Sequence, residues 1–213
     1  MKIDARDHFK DNTIELSNKG IKSFKDINNY PTRFIEVIRV NVKNNELTSL
    51  EGIPDVPFID VSGNNLTRID VKPSDGLFGL YASDNNINYL ENLNDNLRGL
   101  YVSNNILCEL PNDLPSNLDE LYASNNHIKK LPKSLPSKLL RLDLSNNPIT
   151  QLINLPDSLE YLNISFKNIK FIVATTRHLL EYKCRDDKIV LMDDGKVVVI
   201  NEVICKYDIK VLT

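Results

Sequence analysis

The chain has 213 residues, a formal net charge of −3, 41% hydrophobic and 26% charged residues. This fits one domain, or two very small ones, with a foldable core and speaks against wholesale disorder. No stretch approaches the roughly 18 apolar residues of a membrane helix, the polar opening MKIDARDHFKDN lacks the apolar region of a secretory signal, and a pI near 5.7 speaks against a general nucleic-acid binder. Three widely spaced cysteines cannot build a disulfide framework and suggest a reducing compartment. The 27 Asn against 7 Gly mean either a low-complexity tract or a repeat that uses Asn at a fixed place.

Taken in chain order, the repeat begins with a degenerate copy, IELSNKGI from Ile14. An irregular spacer follows, in which 24–37 has the composition of a short helix or turn broken at Pro31. Copies then run as VNVKNNEL from Val40, IDVSGNNL from Ile59, LYASDNNI from Leu80, LYVSNNIL from Leu100, LYASNNHI from Leu121 and LDLSNNPI from Leu142, with weaker ones from Leu162 and Tyr182. Alternation puts one set on the inner face of a short strand, such as Leu100 and Val102 with Leu107, or Leu121 and Ala123 with Ile128. One repeat cannot bury that set alone, so neighbours must stack. Asn45, Asn64, Asn85, Asn105, Asn126 and Asn147 form a structural ladder, whose amides are expected to satisfy backbone groups in the turn leaving each strand. Pro111, Pro115, Pro132, Pro136 and Pro156 disfavour helix in the returning segments. The run IVLMDDGKVVVI predicts a hairpin turning at Asp194-Gly195. One continuous domain is therefore expected: an N-terminal cap over 1–36, repeats over 37–185 and a β cap over 186–213. Lys167 and Asp187 end the ladder.

These segments fit LxxLxLxxNxL, and over about residues 11–192 the chain resembles a leucine-rich repeat protein. LPNDLPSNLDELYASNNHIKKLPKSLPSKLLRLDLSNN is most similar to the short, proline-containing repeats of bacterial effectors. The resemblance implies a leucine-rich-repeat solenoid, α/β by convention but mostly β here. It has a curved parallel sheet on the concave side and an extended convex side with little helix.

In this architecture function sits on strand side chains that point away from the core. The register gives three such columns. One reads Asn41, Asp60, Tyr81, Tyr101, Tyr122, Asp143, Asn163, Lys183. The column two residues earlier reads Arg39, Phe58, Gly79, Gly99, Glu120, Arg141, Tyr161, Glu181, and the one before it Ile38, Pro57, Phe78, Arg98, Asp119, Leu140, Glu160, Leu180. The candidate partner-binding surface is an exposed stripe of Tyr81, Tyr101 and Tyr122 flanked by Phe58 and Phe78. Tyr161 and Phe166 lie further along, and Asp60, Arg98, Asp119, Glu120, Arg141 and Asp143 form the rim. An aromatic centre with a polar rim is the anatomy of a protein-binding surface, and Tyr offers large contact area at small entropic cost. The alternative, that Tyr recurs by duplication and strand preference, gives these positions no role in binding. A following column, Ser62, Ser83, Ser103, Ser124, Ser145 and Ser165, is expected to bond locally at the turn.

No phosphate-binding glycine motif occurs, and His8, His127 and His178 are too scattered for a metal site or triad. No catalytic residue, metal or cofactor is assigned. Cys184 stands in the string CRD, formally the Cys-x-Asp motif of the ubiquitin-ligase domain of some repeat effectors. The register turns it inward, where a thiol is inert, so the match is assigned to coincidence. The expected function is non-catalytic: a protein–protein interaction module, monomeric and cytoplasmic, binding a partner protein through its concave face. As an effector or inhibitor of bacterial or phage origin it would act in the host cytoplasm. The alternative is a substrate-recognition subunit whose catalytic part is another chain. Nucleic acid is disfavoured by the acidic rim, and no membrane contact is expected.

Overall fold

The computed structural model describes residues 2–29, 37–70, 76–152 and 155–164, together with the backbone of strands Phe171–Ile172, Ile189–Asp193 and Lys196–Ile200. Pro31, Ser165, Phe166, Lys167, His178, Leu180, Glu181, Lys183, Cys184, Asp187 and the Asp194-Gly195 turn lie outside the described residues.

Each repeat contributes one short strand to a nine-stranded sheet. In order across the sheet the strands are Phe9–Lys10, Thr13–Glu15, Arg39–Asn41, Phe58–Asp60, Gly79–Tyr81, Gly99–Tyr101, Glu120–Tyr122, Arg141–Leu144 and Tyr161–Ile164. Phe9–Lys10 pairs antiparallel with Thr13–Glu15, and all the other pairings are parallel. The register is the one read from the repeat, since Leu80, Leu100, Leu121, Leu142 and Leu162 are aligned partners. The chain is thus a leucine-rich-repeat solenoid, and its only helices among the described residues are 3-10 turns at Ala5–His8 and Phe24–Asp26. The second turn occupies the start of the 24–37 segment. Ser23 and Asp26 cap it reciprocally, which satisfies amide groups that so short a turn leaves without partners.

The core is a continuous stack. Val40, Ile59, Leu80, Leu100, Leu121 and Leu142 are buried, as are Val42, Val61, Ala82, Val102, Ala123 and Leu144 one pleat further on. Leu47, Leu66, Ile87, Leu107, Ile128 and Ile149 close it from the turn side. Burying one such leucine or isoleucine contributes about 1.5–3 kcal/mol, but only when the next repeat covers it. The returning segments are extended. In three of them a leucine two residues before the sheet donates its N–H to a proline carbonyl three positions back: Leu118 to Pro115, Leu139 to Pro136 and Leu159 to Pro156, each at 3.1 Å. Proline at these places needs no N–H, so the turn loses nothing by it.

Each repeat ends in a doublet whose two residues do different work. The first, Asn44, Gly63, Asp84, Asn104, Asn125 or Asn146, has φ between 53° and 65°, the left-handed region that Gly, Asn and Asp tolerate best. The second is the buried ladder Asn. Asn105 donates from Nδ2 to the carbonyls of Ala82 and Val102 at 3.0 Å and accepts the Ile87 N–H at 2.9 Å. Asn64, Asn85, Asn126 and Asn147 repeat the pattern, and Asn45 does the same against the first repeat, where it accepts from Lys19 and Ile21. Each ladder side chain therefore joins two repeats as well as closing its own turn.

At the far end, Gln151–Leu152 and Phe171–Ile172 pair parallel, Phe171–Ile172 joins Ile189–Asp193, and Ile189–Asp193 and Lys196–Ile200 form an antiparallel pair.

Candidate binding surface

On the face of the nine-stranded sheet opposite the core, pairing brings Tyr81, Tyr101 and Tyr122 onto adjacent strands. Their rings stack: the Tyr81 and Tyr101 centroids are 4.4 Å apart with 9° between planes, and those of Tyr101 and Tyr122 are 5.1 Å apart with 11°. These separations are the interstrand spacing itself. The rings stand side by side and cover each other's faces, so the stripe is half-buried rather than exposed. Of the described aromatic candidates on this face, Phe78 is the exposed one, at 39%.

Two glycines let the rings lie low. Neither has a positive φ; the requirement is space. A Cβ on Gly99 would stand 2.9 Å from Cε2 of Tyr101, and one on Gly79 would stand 2.7 Å from Cδ1 of Phe58. The result is an open groove of about 430 Å³ lined by Phe58, Phe78, Tyr81 and Tyr101 over the two glycines, with Arg98, Asp119 and Glu120 along one side.

The polar groups hold the rings in place. The Tyr101 hydroxyl donates to Glu120 Oε2, and Glu120 Oε1 lies 3.5 Å from Arg141 Nε. Loss of water around the ring, and then the hydrogen bond to the Glu120 carboxylate, push the Tyr101 pKa well above the usual tyrosine value. Arg98 and Asp119 face each other at 3.8 Å. Both pairs are partly solvated and individually weak. At the other end of the stack the Arg39 guanidinium sits 5.3 Å from the Tyr81 ring centre and 5.5 Å from that of Phe58. A cation so placed is held by the ring quadrupoles.

The groove thus gathers Phe58, Phe78, Arg98, Asp119 and Glu120 with Tyr81 and Tyr101. Tyr122 ends the stack, Arg141 supports Glu120, and Asp143 is the register partner of Tyr122. Tyr161 is aligned with Arg141, two strands beyond Glu120, and is not part of the groove lining. Arg39 is the residue that sequence reasoning missed. It was assigned to the right column, but nothing in the sequence says that a long side chain crosses a strand to reach Tyr81. The serine column also behaves differently from the local bonding expected throughout. Ser145 bonds locally to Asp143, whereas Ser124 Oγ donates across strands to Ser103 Oγ at 2.9 Å.

Among the described residues no group of three or more His, Cys, Asp or Glu is arranged to hold a metal ion, and no helix is long and apolar enough to cross a membrane. Cys108 and His127 are exposed.

A family model described as Leucine Rich Repeat matches residues 138–162. The fold is similar to that of YopM from Yersinia enterocolitica, with TM-score 0.64 and 35% identity over 75% of this chain and 34% of that one. It is also similar to YopM, a leucine-rich effector protein from Yersinia pestis, with TM-score 0.63 and 25% identity over 85% of this chain and 56% of that one. The functional domain of InlJ from Listeria monocytogenes shares the fold, with TM-score 0.52 and 20% identity over 81% of this chain and 46% of that one. The chain spans about a third of the first YopM structure and somewhat over half of the second. No curated protein sequence matches it.

Proposed function

Because the chain is a leucine-rich repeat protein with repeats close to those of bacterial effectors, we propose that it works by binding, without catalysis of its own, and that it holds a partner protein on the concave face of its sheet. Folds of this family generally mediate protein–protein interaction. The observation that carries the concave-face reading is the stacked row Tyr81–Tyr101–Tyr122 beside its groove. The rings are large and already held before any partner arrives. Their ordering entropy is spent in folding, so little is left to lose on binding. The Arg98–Asp119 and Glu120–Arg141 pairs supply the polar rim of such a surface.

The similarity to YopM supports the further reading of an effector or inhibitor of bacterial or phage origin, acting in the cytoplasm of its own cell or of a host. It would act by covering a partner's surface.

The test is affinity capture from lysates of the source cell and a host cell. It compares wild type with Tyr81→Ala/Tyr101→Ala/Tyr122→Ala, after circular dichroism shows that both are folded. A protein retained by wild type and lost by the variant supports concave-face binding. A protein retained equally by both overturns it.

A further inference from the structure

The three tyrosines of the column are flanked on each side by a carboxylate. Asp60, Tyr81, Tyr101, Tyr122 and Asp143 are successive register partners on neighbouring strands. Asn41, Asp60 and Asp143 of this column close the turn after their strand by accepting the N–H two residues on. Asn41 accepts from Lys43 at 3.0 Å, Asp60 from Ser62 at 2.9 Å and Asp143 from Ser145 at 2.9 Å. The amide of Asn41 does this as well as a carboxylate does. The turn therefore needs no charge at 60 or 143, and after Tyr81, Tyr101 and Tyr122, whose side chains carry none, it keeps the same left-handed position.

Among the described residues that charge meets no cation. Neither Asp60 nor Asp143 is in an ion pair among the described residues; Asp143 takes only neutral donors, from Ser145 and from Asn163 at 3.2 Å. Three described arginines of this face are engaged elsewhere: Arg39 over Phe58 and Tyr81, Arg98 with Asp119, and Arg141 with Glu120. Four strand spacings separate the two carboxylates, about 19 Å, and stacked rings fill the distance between them. The groove alongside, about 430 Å³, is of a size for a few side chains rather than for a folded surface.

We infer that this column recognises an extended segment of the partner that carries one basic side chain at each end and an apolar or aromatic centre. An extended chain covers the distance in about six residues, so the two basic residues stand about six positions apart. This assignment rests on the concave-face reading and adds to it the chemistry of the partner.

The test selects binders from a display library of random peptides on the full chain. Synthetic versions of the selected peptides are then titrated by fluorescence anisotropy against wild type, Asp60→Asn/Asp143→Asn, Tyr101→Ala and, as a control in an exposed returning segment, Asp113→Asn. Asn41 shows that Asn is accepted in this column, so the double variant keeps its turns. The expected consensus is an apolar or aromatic centre bracketed by Lys or Arg. The double variant should bind about three- to tenfold more weakly, the control should not differ from wild type, and the difference should shrink in high salt. Selected sequences without paired basic residues, equal binding by the double variant, or no enrichment at all would overturn the inference. If Tyr101→Ala still weakens binding in the first two cases, the tyrosine-centred reading stands and only the carboxylate assignment falls. If Tyr101→Ala binds unchanged, both fall.

Discussion

The Tyr101 hydroxyl donates a hydrogen bond to Glu120, and that carboxylate also faces the Arg141 guanidinium. The pairing fixes the middle ring of the stack across a strand boundary. It also makes the ring resist ionisation, because burial and the neighbouring carboxylate both disfavour a phenolate. The folded-state pKa of Tyr101 is raised, so its contribution to stability is present below the ordinary tyrosine value of about 10. It is lost as pH rises beyond that value. In urea unfolding Tyr101→Phe should cost about 0.5–1.5 kcal/mol at neutral pH. The gap between wild type and variant should narrow above about pH 10. A gap that widens with pH would contradict the pairing.

The two asparagines of a doublet should respond differently to the same kind of change. Asn105→Ala leaves the buried Ile87 N–H without its acceptor and takes one donor each from the Ala82 and Val102 carbonyls, which keep those of Asn85 and Asn126. At about 1–3 kcal/mol for a buried group left unsatisfied, the loss should be about 1–3 kcal/mol, read as a lower urea midpoint. Asn104 has φ 54° and an exposed side chain bonded to Asp84. Asn104→Gly should stay within about 1 kcal/mol of wild type. Asn104→Val should cost about 1–2 kcal/mol through its backbone conformation.

That contrast shows what was legible in the sequence. Period-two alternation and the recurring Asn set both strand register and face, so Leu100 with Val102 and the ladder Asn105 were readable from one repeat. The left-handed position before each ladder Asn was not read, although Gly63 and Asp84 at that place were a visible signal that the residue answers to backbone conformation and not to a side-chain bond. The site was legible as columns only. Which rings stack, and that Arg39 crosses a strand to lie by Tyr81, depend on side-chain conformations that a repeat pattern does not encode.

Gly99→Ala should disturb the surface more than the fold. The new Cβ would lie 2.9 Å from Tyr101 Cε2 and 3.3 Å from its hydroxyl oxygen, so the ring must swing off the sheet. Stability should fall by about 1 kcal/mol, of the order of a lost aromatic pair. The near-ultraviolet circular dichroism of the stacked tyrosines should weaken while the far-ultraviolet spectrum stays that of wild type. An unchanged near-ultraviolet signal would mean that the ring does not depend on the glycine.

Tyr101→Ala should weaken partner binding by about 2 kcal/mol or more, as a central hot-spot aromatic does, with a smaller effect on stability because the ring is only half-buried. Isothermal titration and thermal melting of the same samples separate the two. A large fall in melting temperature with unchanged affinity would assign the ring to structure.

Site-directed photo-cross-linking tests concave-face binding most directly. A benzophenone amino acid is placed at Tyr122, at the end of the stack, or at Glu109, exposed on a returning segment, and each folded variant is irradiated with the captured partner. Covalent adducts from position 122 and none from 109 are the predicted result. Adducts from 109 and none from 122 would contradict the account and move recognition to the opposite side of the solenoid.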